Sequence, residues 1–157
     1  ILEDVEFSHR LRKMGCKLTM NSEILVRHIF NFTLIKSLKN AFRKSLYWTI
    51  YSLRNKDLLA DSGTASYELK INVATLFLNA LLSMLFFYFK NTAFLISIFL
   101  ICAVNLSVSK GLIKAFYKAK GLSFVIATTL YYTLIFPLPV GAGAFSGILK
   151  YIRNNKR

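Results

Sequence analysis

The sequence predicts an α-helical membrane protein that carries the C-terminal remnant of an α/β domain at its front, with two or three transmembrane helices and amphipathic helices at the membrane interface. Three observations lead there. The 157 residues are 55% hydrophobic and 15% aromatic with a positive mean hydropathy, more than a soluble core of this size uses. All seven carboxylates precede Leu69, while residues 69–157 carry only basic charge, set mainly at the edges of uncharged runs. Those runs approach the length needed to cross a bilayer. The chain is therefore divided into residues 1–30, the end of an α/β domain; residues 31–68, an amphipathic helix and linker; and residues 69–157, the membrane region.

In residues 2–14, Leu2, Val5, Leu11 and Met14 recur at roughly helical spacing, and Gly15 can take the left-handed conformation that ends a helix. Residues 16–20 and 24–28 contain short runs with β-branched members, separated by Asn21-Ser22-Glu23, whose side chains suit a turn; two brief strands are expected. From Leu34 to Arg54 a long amphipathic helix places Leu34, Ile35, Leu38, Phe42, Leu46, Ile50 and Leu53 on one face, with Lys36, Arg43 and Arg54 on another. Such a helix can lie in the membrane interface, pack on a soluble domain, or do both.

Residues 71–89 form an uncharged run of 19 between Lys70 and Lys90, close to the roughly 20 residues that cross a hydrocarbon core. Residues 92–108 form a second, and the break at Lys90-Asn91 predicts a tight helical hairpin. Lys110, Lys114 and Lys118 then recur every four residues, bracketed by Gly111 and Gly121, as in a second interfacial helix. Residues 122–149 are uncharged but contain Pro137 and Pro139, so a span to about Phe136, a break at Pro137–Pro139 and a re-entrant or tilted helix from Val140 are expected. The basic tail of Lys150, Arg153, Lys156 and Arg157 favours the cytoplasmic side, whereas three spans place it on the opposite side.

The net charge of +14 raises nucleic acid as a partner. Basic residues that flank apolar runs instead suit anionic lipid headgroups, and nucleic acid is set aside. Cys16 and Cys102 imply no disulfide framework. With neither an initiating Met nor a signal peptide before Ile1, the natural start is expected upstream.

Residues 69–157 lack the acids and bases that catalysis needs, which confines candidate chemistry to residues 1–68. Glu3-Asp4 is the adjacent carboxylate pair there, at the start of a helix whose dipole favours the ionised form. An ionised Asp4 can accept a proton, or it can simply be an N-terminal helix residue. Ser8 and His9 form no triad with Asp4, because neighbouring residues on a helix point apart. Gly141, Gly143 and Gly147 suit close helix packing and lack the spacing of a dinucleotide loop.

The ordered set of Glu3-Asp4, a helix ending in Arg10-Leu11-Arg12-Lys13 before Gly15, a strand, and a second strand ending at His28 resembles the Glu-Asp region of membrane-bound bacterial family-2 glycosyltransferases. The resemblance covers residues 1–54 and implies the end of a GT-A domain. It implies an inverting transfer of sugar from a nucleotide-diphosphate sugar to an acceptor, with Asp4 as general base and Glu3 beside it, and the expected place at the membrane makes that acceptor membrane-associated and lipid-linked. It also implies substrate contacts at His28, Arg43 and Lys44, although Asn40-Ala41-Phe42-Arg43-Lys44 departs from the Gln-x-x-Arg-Trp motif of processive relatives. A divalent cofactor, Mg or Mn, is expected with its ligands mainly upstream, so this piece alone is expected to be inactive. The implied setting is the cell inner membrane with the catalytic part cytoplasmic. The other reading is a small non-catalytic membrane protein, such as an assembly or transporter subunit.

Overall fold

The computed structural model describes residues 3–19, 21, 23–25, 33–58 and 65–155, with the side chains of Glu3 and Asn155 set aside. The described residues build α1 (Glu3–Lys13), α2 (Leu34–Asn55), α3 (Tyr67–Phe89), α4 (Ala93–Val108), α5 (Lys110–Leu130), a π-turn (Tyr131–Ile135) and α6 (Pro137–Asn155).

α1 ends as the sequence predicts: Gly15 has φ +81° and the Cys16 N–H donates to the Leu11 carbonyl at 3.0 Å. The α/β remnant is not supported. Residues 16–19 and 24–25 form no strand, and only the expected turn appears, with the Glu23 N–H donating to Asn21 Oδ1 at 2.9 Å. A short extended run becomes a strand only when another strand pairs its backbone, and none is formed among the described residues. Met20 and residues 26–28 lie outside them.

α2 opens on Thr33, whose Oγ1 accepts the Lys36 N–H, and closes on Lys56 in the left-handed conformation. Its buried face is not the aliphatic stripe that the sequence suggests. Ala41, Trp48, Thr49 and Ser52 are buried, about a quarter-turn round the helix, while Leu34 and Ile35 are exposed. The reason is α6, which lies along α2 in the same direction. Ser45 Oγ donates to the Val140 carbonyl at 2.7 Å, Gly143 abuts the Phe42 carbonyl, and Gly147 abuts the Leu46 carbonyl and Thr49. Small residues on both helices let the backbones touch, a packing mode typical of helices in an apolar environment.

α3 and α4 form the expected hairpin. Lys90 turns the chain at φ +52°, its N–H donating to the Phe86 carbonyl at 2.8 Å, and Asn91 Oδ1 accepts the Ala93 N–H. A left-handed lysine costs about 1 kcal/mol that glycine avoids. Lys90→Gly should therefore stabilise the protein by about that amount, measured as a raised melting temperature in detergent. α4 is 16 residues long, about 24 Å, short of the roughly 30 Å hydrocarbon core, so the second predicted span is a helix but not of full crossing length.

α5 holds the predicted lysine helix and then kinks at Lys120 and Gly121, Gly121 having φ +74°. The expected break also forms, but just before Pro137: the chain winds into a π-turn and restarts as α6, with Pro137 and Pro139 in the first turn, where a missing N–H is tolerated. In the π-turn the Phe136 N–H donates to the Tyr131 carbonyl at 2.9 Å. The next such bond would join residue 137 to the Tyr132 carbonyl, and proline has no N–H to give. Asn72 Nδ2 of α3 supplies the donor instead, at 2.6 Å, and Asn72 Oδ1 accepts from Asn105 Nδ2 of α4 at 2.9 Å. Asn72 is completely buried, Asn105 and Ser109 nearly so. A polar relay thus ties three helical segments together inside otherwise apolar surroundings.

Two helical stretches, Tyr67–Phe89 and Lys110–Asn154, are long and apolar enough to cross a membrane. Only 11% and 6% of their most apolar windows are buried, unlike the core helices of soluble proteins. Met84 and Phe99, at 70% and 74% exposed, show how much apolar surface α3 and α4 turn outward.

Candidate functional site at three converging helix ends

Asp4 is exposed in the first turn of α1, its Oδ1 accepting the Val5 N–H at 2.9 Å and its carbonyl accepting Ser8 Oγ. Arg43 and Lys44 are exposed on α2, and no described hydrogen bond joins either to Asp4. The side chain of Glu3, and His28 altogether, lie outside the described residues. The structure therefore presents Asp4, Arg43 and Lys44 at the surface without bringing them together.

What it does bring together is a groove of about 250 Å³ between α1 and α2, lined by Glu6, His9, Arg10, Lys13, Tyr51, Arg54 and Asn55. Residues 6, 9, 10 and 13 share one side of α1, because helical neighbours recur every three or four positions. At 100° per residue Asp4 falls on nearly the opposite side. Asp4 and the groove thus serve different spaces.

Two bridges hold α1 to α2. His9 Nδ1 and the Tyr51 hydroxyl are 2.8 Å apart, with their rings tilted at 5.6 Å, and Lys13 Nζ donates to Asn55 Oδ1 at 3.3 Å. Each bridge joins residues 42 apart, one turn further along both helices, so α1 and α2 run side by side in the same direction. Partial burial, then the negative charges of Asp57 and Glu6, push the Tyr51 phenol above its ordinary value of 10.0. It remains a neutral hydroxyl at physiological pH, and it donates to or accepts from His9 Nδ1 according to the imidazole tautomer.

The sign of the pH dependence follows from this upward shift. The docked arrangement favours the protonated phenol, so its contribution is complete below the ordinary tyrosine value and is lost as pH rises through the higher folded value. Tyr51→Phe should loosen α1 by about 1 kcal/mol at neutral pH, seen as faster tryptic cleavage after Arg10, Arg12 and Lys13; an unchanged cleavage rate would show that the bridge holds nothing.

The groove is basic: its lining sets Arg10, Lys13 and Arg54 against Glu6, and the charge of Asp57 also reaches Tyr51. Arg54 also lines a second hollow of about 210 Å³ with Ile50, Tyr151 and Asn154, where α2 meets the end of α6. Three helices so finish together, each with cations in its last turn: Arg10, Arg12 and Lys13 on α1, Arg54 on α2, and Arg153 on α6. Cations are favoured there because the free carbonyls of a helix end carry partial negative charge. Sequence reasoning placed Arg54 on a basic face but gave no sign that Arg10, Lys13 and Tyr51 would join it, since a separation of 42 residues carries no periodic signal.

Among the described residues no three His, Cys, Asp or Glu side chains form a group that could hold a metal ion. The implied Mg or Mn therefore has no ligand set among the described residues. Comparison with known protein families, with characterised proteins and with solved structures found no match to the chain.

Proposed function

We propose that the chain is the membrane-anchored end of an inverting glycosyltransferase, moving a sugar from a nucleotide-diphosphate sugar to a lipid-linked acceptor at the inner face of the cell inner membrane. The observation that supports this most is the placement of Asp4. It is an exposed carboxylate at a helix tip; that helix is pinned to α2 by His9 and Tyr51, and α2 is packed along α6, which continues the apolar helices. A base on a helix tethered to that apolar assembly can meet an acceptor hydroxyl that arrives in the bilayer plane.

In the proposed step Asp4 takes the hydroxyl proton as the acceptor oxygen bonds to the anomeric carbon. The bond from that carbon to the nucleoside diphosphate breaks on the opposite face, and the leaving group departs with the electron pair. Glu3 neighbours the base. Arg43, Lys44 and His28 are the proposed substrate contacts, with donor recognition assigned to upstream sequence. The apolar surfaces of α3, α4, α5 and α6 face lipid, and the lysines of α5 meet anionic headgroups.

The test is transfer of labelled sugar by membranes bearing the full open reading frame. Asp4→Asn should reduce transfer about a hundredfold or more while the protein still partitions into membranes; transfer at the unaltered rate would remove Asp4 as base. One observation favours the second reading, a non-catalytic membrane subunit: the described residues form helices and no strand, where the α/β remnant calls for strands. Under that reading the full-length protein transfers no sugar from any nucleotide donor.

A further inference from the structure

We propose that the groove between α1 and α2 is a binding site for a phosphate or diphosphate group. The inference stands on the groove alone and does not need the glycosyltransferase reading. Two guanidinium residues, Arg10 and Arg54, line it from different helices, and Lys13 adds an ammonium. Guanidinium forks pair with phosphate oxygens through two parallel hydrogen bonds, whereas an ammonium acts as a point charge. Lys13 commits one proton to Asn55 Oδ1 and keeps two further N–H donors.

The remaining lining fits the same guest. Asn55 Nδ2 is tied back to the Tyr51 carbonyl at 3.0 Å, and Tyr51 is tied to His9, so the floor is fixed by bonds within the protein. A cationic guest would meet three like charges. An apolar guest would leave the charged tips of Arg10, Lys13 and Arg54 unpaired. A doubly charged anion offsets two of the three positive charges of Arg10, Lys13 and Arg54 and relieves their mutual repulsion at the helix ends. Glu6 limits the net positive charge and favours a compact anion held by the two arginines over an extended polyanion.

The phosphate can come from a soluble diphosphate or from a lipid headgroup, and the experiment separates them. The full-length protein in phosphatidylcholine nanodiscs is titrated with inorganic pyrophosphate, and separately compared in nanodiscs with and without phosphatidic acid. Trp48, the sole tryptophan, has its ring 6.0 Å from that of Tyr51 and reports through its fluorescence. The variant Arg10→Gln with Arg54→Gln should weaken binding about tenfold or more, since it removes two charge-assisted contacts. The charge-matched variant Lys36→Gln with Lys39→Gln lies about 22 Å or more from Arg54 along α2 and should bind within about twofold of the unaltered protein.

Saturable pyrophosphate binding lost selectively in the arginine variant supports a soluble-phosphate site. A response to phosphatidic acid alone, with the same selectivity, supports a headgroup site. If neither probe produces a saturable change, or if both double variants lose binding equally, the site is overturned and only diffuse charge remains. Circular dichroism of both variants shows whether the fold is kept. Normal phosphate binding in Asp4→Asn without sugar transfer would separate this result from the fate of the catalytic proposal.

Discussion

Leucine at Gly143 should prise α6 from α2 and leave little folded protein after extraction into detergent. A Cβ there would collide with the Phe42 carbonyl oxygen and lie 3.0 Å from Ser45 Cβ; at Gly147 it would sit 2.7 Å from the Leu46 carbonyl oxygen. Backbone cannot rotate aside as a long side chain can, so the helices must move apart. Doing so breaks the Ser45 bond to the Val140 carbonyl and opens the seam over Ala41, Thr49 and Ser52. Overpacking of a tight core costs about 1–3 kcal/mol for added methylenes alone, and lost seam contacts add to it. The loss should appear as a collapsed elution profile and a melting temperature lowered by many degrees. Gly111→Ala is the control with the opposite sign, because nothing lies within 4 Å of its Cβ position and alanine favours helix by about 1 kcal/mol. Equal behaviour of Gly143→Leu and the unaltered protein would refute the described seam.

The second large effect is expected at Asn72. Asn72→Leu keeps the size of the side chain but strands two groups at once, the Tyr132 carbonyl and the Asn105 amide, in a place closed to solvent. Each buried unpaired group costs about 1–3 kcal/mol, so a loss near the sum is expected in thermal unfolding. A rescue tests the cause. The carbonyl is orphaned because residue 137 is proline, so Pro137→Ala restores an N–H one step beyond the bond from Phe136 to Tyr131. Combined with Asn72→Leu it should recover about 1 kcal/mol. If the double variant melts no higher than Asn72→Leu, the account of the π-turn fails.

Local signals proved legible where the chain itself satisfies them. Gly15 ends α1, Lys90-Asn91 turns the hairpin, and α2 spans nearly the predicted residues, because capping and periodicity act over a few positions. Of the strands expected over residues 16–20 and 24–28, none forms at the described residues 16–19 and 24–25, since an extended run needs a partner that composition cannot supply. The buried face of α2 was misjudged for a related reason: periodicity finds the most apolar stripe, but small residues permit the closest approach, and here Ser45 and Thr49 meet Gly143 and Gly147. Asn72 and Asn105 stand 33 residues apart and look like ordinary polar interruptions until the freed carbonyl explains them. At the surface, Asp4 was visible as half of an acidic pair, whereas the basic groove emerges only when α1 is laid along α2.

The π-turn also makes a fulcrum. α6 extends 19 residues beyond it, about 28 Å, and carries α2 along its flank, while α2 in turn carries α1. A swivel of about 10° at that pivot displaces the far end of the arm by about 5 Å, simple trigonometry on a helix of that length. The amide of Asn72 grips the chain close to the axle, where small forces govern large excursions at the tip.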